Sequence, residues 1–364
     1  MTYLNNPWRG RGLRVGALEV QRGVRRDPAR VLALLNQCPL AAPTPLVDVP
    51  ELARSLGLGR LAIKDERGRM GLGSFKSLGA AHAIARAAYA ALGDAVFKPE
   101  RATTALSGQV YTAATAGNHG LSIAAGARVF GARAVIFIAE SVPEAFAGRL
   151  RDKGADVVRA GDDYEASLIA AKNAAEKNGW QLLSDTSWPG YTELPLDVME
   201  GYLVTASEAA ARCEANGWRP SHVFLQAGVG GLAAAVAAHL RARWGETFTI
   251  VVVEPEAAPA LLESIRAGRP VVTRGPVSSM GRLDCKEPSH LALGSLAKTA
   301  DVFMTVSDAF TGDAIGDLGR NGLATSPSGG AGYAGLKAAL TEQLCGLGPR
   351  AEVLLFLSEG PADD

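Results

Sequence analysis

The feature that most constrains this chain is the alternation of two kinds of segment along its length. Short runs rich in β-branched and aromatic residues recur at 61–64, 134–138, 156–159, 181–184, 222–226, 249–253, 302–306 and 353–357. Between them lie alanine-rich stretches of helical period at 76–92, 118–130, 164–178, 230–244 and 331–344. Strand–helix alternation is the signature of an α/β fold, and strands that are apolar throughout fit parallel sheets covered by helices on both faces. A chain of 364 residues is long enough for its core to split, so two such sheets are expected. The region 80–194 contains one compact set of strands and helices. The flanks, 1–79 and 195–364, supply the rest, which makes a discontinuous large domain and a smaller inserted one.

Composition narrows the function classes. The 37 Lys and Arg balance 37 Asp and Glu, which argues against a nucleic-acid partner, since such domains carry an excess of basic charge. The apolar runs fall short of the roughly 20 residues that span a bilayer. The N-terminal stretch has no apolar core of a signal peptide, so a cytoplasmic address is expected. Cys38, Cys213, Cys285 and Cys345 form no CxxC pair and have no His at ligand spacing. They suggest small buried hydrophobes, with neither a disulfide frame nor a metal site.

Four segments carry chemistry. In the first, Ser74-Phe75-Lys76 follows a strand that ends in charge. Ser74 stands where a helix cap belongs, and Lys76 falls in the first turn, where the helix dipole disfavours a cation. Burial adds to that effect, and both push Lys76 toward the neutral amine that forms Schiff bases. The second, Gly228-Val229-Gly230-Gly231-Leu232, joins an apolar strand to a helix and offers bare backbone N–H groups to a phosphate. It lacks both the Walker lysine and the dinucleotide spacing. The third is the turn Thr115-Ala116-Gly117-Asn118-His119, whose N–H groups suit a carboxylate. His119 is read there as packing against its helix. The fourth is a buried strand ending in the hydroxyl of Ser358.

In this order the segments resemble the fold-type II family of pyridoxal-phosphate enzymes, the tryptophan synthase β-like architecture of two lobes, each a mostly parallel sheet flanked by helices. The resemblance implies pyridoxal 5'-phosphate as cofactor, carried by Lys76. Its phosphate would lie on Gly228, Val229, Gly230, Gly231 and Leu232, its 3-hydroxyl on Asn118 and its ring nitrogen on Ser358. A neutral hydroxyl at Ser358 leaves that nitrogen unprotonated, which favours elimination over transamination. The substrate carboxylate would lie on Thr115, Ala116, Gly117, Asn118 and His119. A homodimer is the family's usual state.

Three further stretches, 184–202, 226–230 and 281–289, resemble the diaminopropionate ammonia-lyase subfamily more narrowly. That resemblance makes Asp185 a second catalytic residue, the acid/base for the L-isomer. It implies α,β-elimination of 2,3-diaminopropionate to pyruvate and ammonia. Two positions depart from the pattern. Ala116 stands where the subfamily has a second aspartate that serves the D-isomer, and Lys286 stands where a glycine is usual. These departures keep open a serine, threonine or hydroxyaspartate dehydratase. A non-catalytic amino-acid-binding protein on the same fold is the more distant alternative.

Overall fold

The computed structural model describes residues 1–14, 16–18, 22–93, 99–115 and 117–361. Its strands are β1 (Tyr3–Asn5), β2 (Leu46–Asp48), β3 (Arg60–Asp65), β4 (Val110–Ala114), β5 (Arg133–Ile138), β6 (Ala155–Arg159), β7 (Gln181–Leu182), β8 (His222–Gln226), β9 (Thr249–Pro255), β10 (Val302–Val306) and β11 (Glu352–Leu357). They form two sheets, one ordered β1-β10-β9-β8-β11-β3-β2 and the other β6-β5-β4-β7. Pairing is parallel throughout the smaller sheet and the middle of the larger one. The short strands β1 and β2 add antiparallel edges.

The apolar runs behave as helix-covered strands should. Every residue of β8 and β10 is buried, whereas β6, an edge strand, is buried only at its first position. The run at 181–184 pairs over Gln181–Leu182 alone. The last helix starts earlier than its period suggested, at Pro327, because Ser326 caps it by accepting the Gly329 N–H. The cysteines correct the expectation of uniform burial. Only Cys213 is buried, while Cys38, Cys285 and Cys345 are partly exposed because they lie in turns and loops outside helices and strands.

The longest helix, Glu193–Ala215, was not anticipated. Fifteen of its residues are buried, and a helix covered on most sides leaves no polar stripe by which to read its period. It crosses the helix Lys76–Leu92 at near-contact of the two backbones. A Cβ on Gly201 would lie 2.3 Å from the Leu78 carbonyl oxygen, and one on Gly79 would lie 2.6 Å from the Tyr202 ring. Only glycine allows that approach. The crossing fixes the helix that begins at Lys76.

In the larger sheet, β8, β9 and β10 advance in one direction while β11 lies on the other side of β8. Open α/β sheets bind ligands at such a switch point, beyond the carboxyl ends of the strands. The glycine-rich segment follows β8 and Ser358 follows β11, so the order of strands alone brings two of the four segments together. Among the described residues, no helix is long and apolar enough to cross a membrane.

Candidate active site

Lys76 is brought to the switch point by stitching between distant segments. Ser74 bridges Glu359 in an isolated antiparallel pair, Phe75 N–H donates to the Ser358 carbonyl at 3.1 Å, and Gly360 N–H to the Gly73 carbonyl at 3.1 Å. The loop preceding this stitch is held by ion pairs of the buried Arg69 with the buried Glu66 and the partly exposed Glu208. Ser74 is not the formal cap. The helix is capped by Phe75, without a side-chain bond, and Ser74 Oγ instead accepts the Lys76 N–H at 3.3 Å.

The Lys76 amine touches the Asp185 carboxylate, and both side chains are about one-fifth exposed, at 23% and 20%. This corrects the expectation of a neutral amine. Burial lowers the Lys76 pKa, but attraction to Asp185 outweighs it and holds the ammonium well above its ordinary range. Burial likewise opposes charge on Asp185, and Lys76 overcomes it to hold the carboxylate well below its ordinary range. A cation at a helix start is thus tolerated where a carboxylate from another segment meets it.

Asp185 lies just beyond β7, on a loop clamped at both ends. Tyr191 Oη donates to the Leu182 carbonyl at 2.7 Å and accepts the Ser184 N–H at 3.0 Å. Its ring stacks on Trp188 at 4.3 Å, and the Lys172 ammonium lies 4.1 Å from the Trp188 ring centroid. On the other side, Ser187 Oγ and Ser289 Oγ are 2.7 Å apart, tying the loop to residues that precede the helix His290–Thr299.

The remaining segments converge around this pair. In the glycine-rich segment, a Cβ on Gly228 would lie 2.9 Å from Cys285 Sγ and 3.1 Å from Leu283 Cα, and Gly230 holds φ at +97°. Gly230 caps the helix Gly231–Trp244 with no side-chain bond. Among the described residues, the N–H groups of Gly230, Gly231 and Leu232 have no protein acceptor. Ser358 Oγ lies 3.1 Å from Gln226 Nε2, which also donates to the carbonyls of Gly329 and Phe356. An amide nitrogen accepts nothing, so the Ser358 proton points elsewhere.

In the turn after β4, Gly117 N–H donates to Thr115 Oγ1 at 3.1 Å, and Asn118 Nδ2 donates to Glu359 Oε2 at 2.9 Å. Ala116 lies outside the described residues. His119 Nε2 is 2.8 Å from the Leu183 carbonyl, which fixes the proton on that nitrogen. Burial pushes the His119 pKa down and keeps the ring neutral.

Three residues at the site escaped the sequence reading. Glu359 gathers Asn118, Ser326 and Arg282, the last at 2.6 Å. Gln226 orients Ser358, and Tyr202 presents a buried hydroxyl without a partner among the described residues. Tyr202 and Gln226 fall inside the stretches 184–202 and 226–230 and Glu359 follows Ser358, but their roles were hidden because their partners lie far off in sequence. Lys286 adds no free charge, for it pairs with Asp284.

A lysine amine, a cradle of bare N–H groups that no side chain can enter and a serine proton left free to donate suit a phosphorylated aldehyde with a ring nitrogen. Fold and site together define the class of two-sheet enzymes built around that cofactor. The chain belongs to the pyridoxal-phosphate dependent enzyme family, which it matches over residues 38–359. It is 32% identical to the diaminopropionate ammonia-lyase of Salmonella typhimurium over 295 residues, covering 76% of this chain and 72% of that one. Identity to the Escherichia coli K12 diaminopropionate ammonia-lyase is 31% over 340 residues, covering 88% and 85%. The crystal structure of the Escherichia coli enzyme in complex with an aminoacrylate-PLP azomethine reaction intermediate superposes with a TM-score of 0.85 at 27% identity, covering 99% of this chain and 93% of that one.

Proposed function

We propose that this enzyme catalyses α,β-elimination on small β-substituted L-amino acids and that its substrate is 2,3-diaminopropionate, which gives pyruvate and two equivalents of ammonia with uptake of one water. The observation that carries this reading is the Lys76–Asp185 pair, an amine and a carboxylate that touch, set beside an anion cradle. Relatives named for this reaction support it.

Lys76 would hold the cofactor, the N–H groups of Gly228–Leu232 its phosphate, Asn118 its 3-hydroxyl and Ser358 its ring nitrogen. When bound, the cofactor supplies an electron sink for the pair left behind when the Cα proton departs. The substrate carboxylate would lie on the turn from Thr115 to His119. In the pair as it stands the proton sits on Lys76, and their contact gives it a path to Asp185. Once the substrate's amino group has displaced Lys76 from the cofactor and the Lys76 proton has passed to Asp185, the neutral amine can take the Cα proton while the Asp185 carboxyl gives its proton to the departing β-amine, which must leave as ammonia. Tyr191 and Trp188 keep Asp185 within reach of that amine. Neutral His119 supports Leu183 and takes no part in the proton transfer. Residues 80–194 would form the small lobe that carries the substrate turn. The active form would be a cytoplasmic homodimer, closed twofold pairing being the commonest assembly.

Product analysis tests the reading. Diaminopropionate should yield two ammonia per pyruvate, and borohydride reduction followed by peptide mass analysis should find the cofactor on Lys76. Turnover of serine or threonine but not of the diamine would replace this substrate with a hydroxyamino acid.

A further inference from the structure

The loop between the helices Ala260–Ala267 and His290–Thr299 contains a lysine that the chemistry above leaves unused. Lys286 Nζ donates to the carbonyl oxygens of Ala257 and Pro276, each at 2.9 Å, and to Asp284 Oδ1. An ammonium has three donors and no acceptor, so three oxygens satisfy it completely. The backbone at Lys286 is tied as well, its carbonyl accepting the Thr273 N–H at 2.8 Å and Thr273 Oγ1 at 3.1 Å. Asp284 Oδ2 takes the Ser278 N–H at 3.3 Å. Four stretches of irregular chain are thereby drawn around one positive charge.

This cluster stands directly behind the cofactor cradle. The Cβ position of Gly228 lies within 2.9–3.3 Å of atoms of Cys285, Leu283 and Arg282, and Ser289 N–H donates to the Val229 carbonyl at 3.0 Å. A shift in residues 282–289 would therefore move the N–H groups of the cradle. Two backbone carbonyls and a carboxylate oxygen form an all-oxygen donor set, of the kind in which carbonyl dipoles replace the water around a monovalent cation. The ammonium of Lys286 brings the same unit charge to the same oxygens.

We propose that Lys286 is a tethered monovalent cation: its ammonium fills an oxygen cage made by Ala257, Pro276 and Asp284, fixes the loop behind the glycine-rich segment, and frees this enzyme from any need for dissolved potassium or ammonium. The proposal rests on the reading of residues 228–232 as the cofactor cradle and is independent of which amino acid is the substrate.

The test compares the wild-type enzyme with Lys286→Ala and Lys286→Met at constant ionic strength in choline, potassium or ammonium chloride. It reads the thermal midpoint of the cofactor-free protein and the affinity for pyridoxal phosphate by absorbance titration. Wild-type values should be the same in all three salts. Lys286→Ala should lose about tenfold or more in cofactor affinity in choline, the scale expected when a group that orients a ligand set is removed. It should recover in potassium or ammonium, with its thermal midpoint rising in parallel. Lys286→Met, whose uncharged chain fills the cage, should lose affinity and not recover.

The proposal is overturned if Lys286→Ala is unaffected, if no cation restores it, if Lys286→Met is restored equally, or if the wild type itself needs potassium. That last arm requires no variant to fold. Failure of the cradle assignment would look different, as wild-type protein that does not bind the cofactor in any salt, while the thermal midpoints would still report on the cage.

Discussion

The two sides of the site are built by opposite means. On the side of the larger sheet, the segment Gly228–Leu232 is defined by what is missing: a Cβ at Gly228 has no room, Gly230 needs a positive φ, and three N–H groups are left without acceptors. Beside the smaller sheet, Asp185 depends on side chains that are present, with the Tyr191 hydroxyl spanning residues 182 and 184 and Trp188 stacked beneath it. A cradle of backbone is specified by the sheet and has few ways to move. A carboxylate at the tip of a loop must be aimed, and every brace that aims it is open to substitution. Binding and proton transfer should therefore be separable by mutation.

The largest separation should come from Asp185→Asn. Elimination should fall about 1,000-fold, within the range for a lost acid/base, while affinity for the cofactor stays within a few-fold; a variant that loses both equally would show that Asp185 serves the cradle too. Gly228→Ala should do the reverse. Its methyl would press on Cys285 and Leu283, and cofactor affinity measured by titration should drop by about tenfold or more, as for other overpacked sites costing 1–3 kcal/mol. An affinity equal to wild type would mean that the loop yields freely.

Tyr191→Phe removes both bonds of the clamp and should cost about 1 kcal/mol per lost bond. It should appear as a several-fold lower kcat and an altered pH profile, with cofactor affinity unchanged. An unaltered profile would relieve Tyr191 of its aiming role. A last effect, on stability and not on turnover, concerns the floor of the larger sheet. Glu254 is fully buried near the end of β9, and burial pushes its pKa from 4.5 up to about 8, against the pull of the Leu261 and Leu262 N–H groups. The unfolded chain releases this proton above about 4.5, whereas the folded chain keeps it until about 8, so stability declines as pH rises across that window. Urea denaturation should show a shallower decline for Glu254→Gln, and identical slopes would refute the assignment.

Much of the fold was legible because parallel strands covered on both faces announce themselves as apolar runs. Strands β8 and β10 and the helix at 76–92 lie where the pattern places them. The helix Glu193–Ala215 was hidden by its own burial, and β1 and β2 are three-residue edges whose pairing depends on distant partners. At the site, Lys76, Asn118 and Ser358 stand in recognisable local motifs. The roles of Glu359 and Arg282 were not legible, although Arg282 falls in the stretch 281–289 and Glu359 follows Ser358, because their meeting is a property of the folded loops and not of either segment. The charge state of Lys76 is not legible in its own segment for the same reason: the helix start is local, and the carboxylate that reverses its effect arrives from residue 185.

The position of β11 has a consequence for how the protein is made. This strand lies between β8 and β3, in the middle of the larger sheet, yet it is made after both of them. Until it is inserted, β3 and β8 have no shared neighbour, and Lys76 has no Ser358 carbonyl against which to set the first turn of its helix. Nascent chains fold from the N-terminus as they emerge, so this one must hold two unfinished half-sheets apart until β11 arrives. Assembly of the site is thereby postponed until β11 has been made, and a fragment released before it has no centre to load.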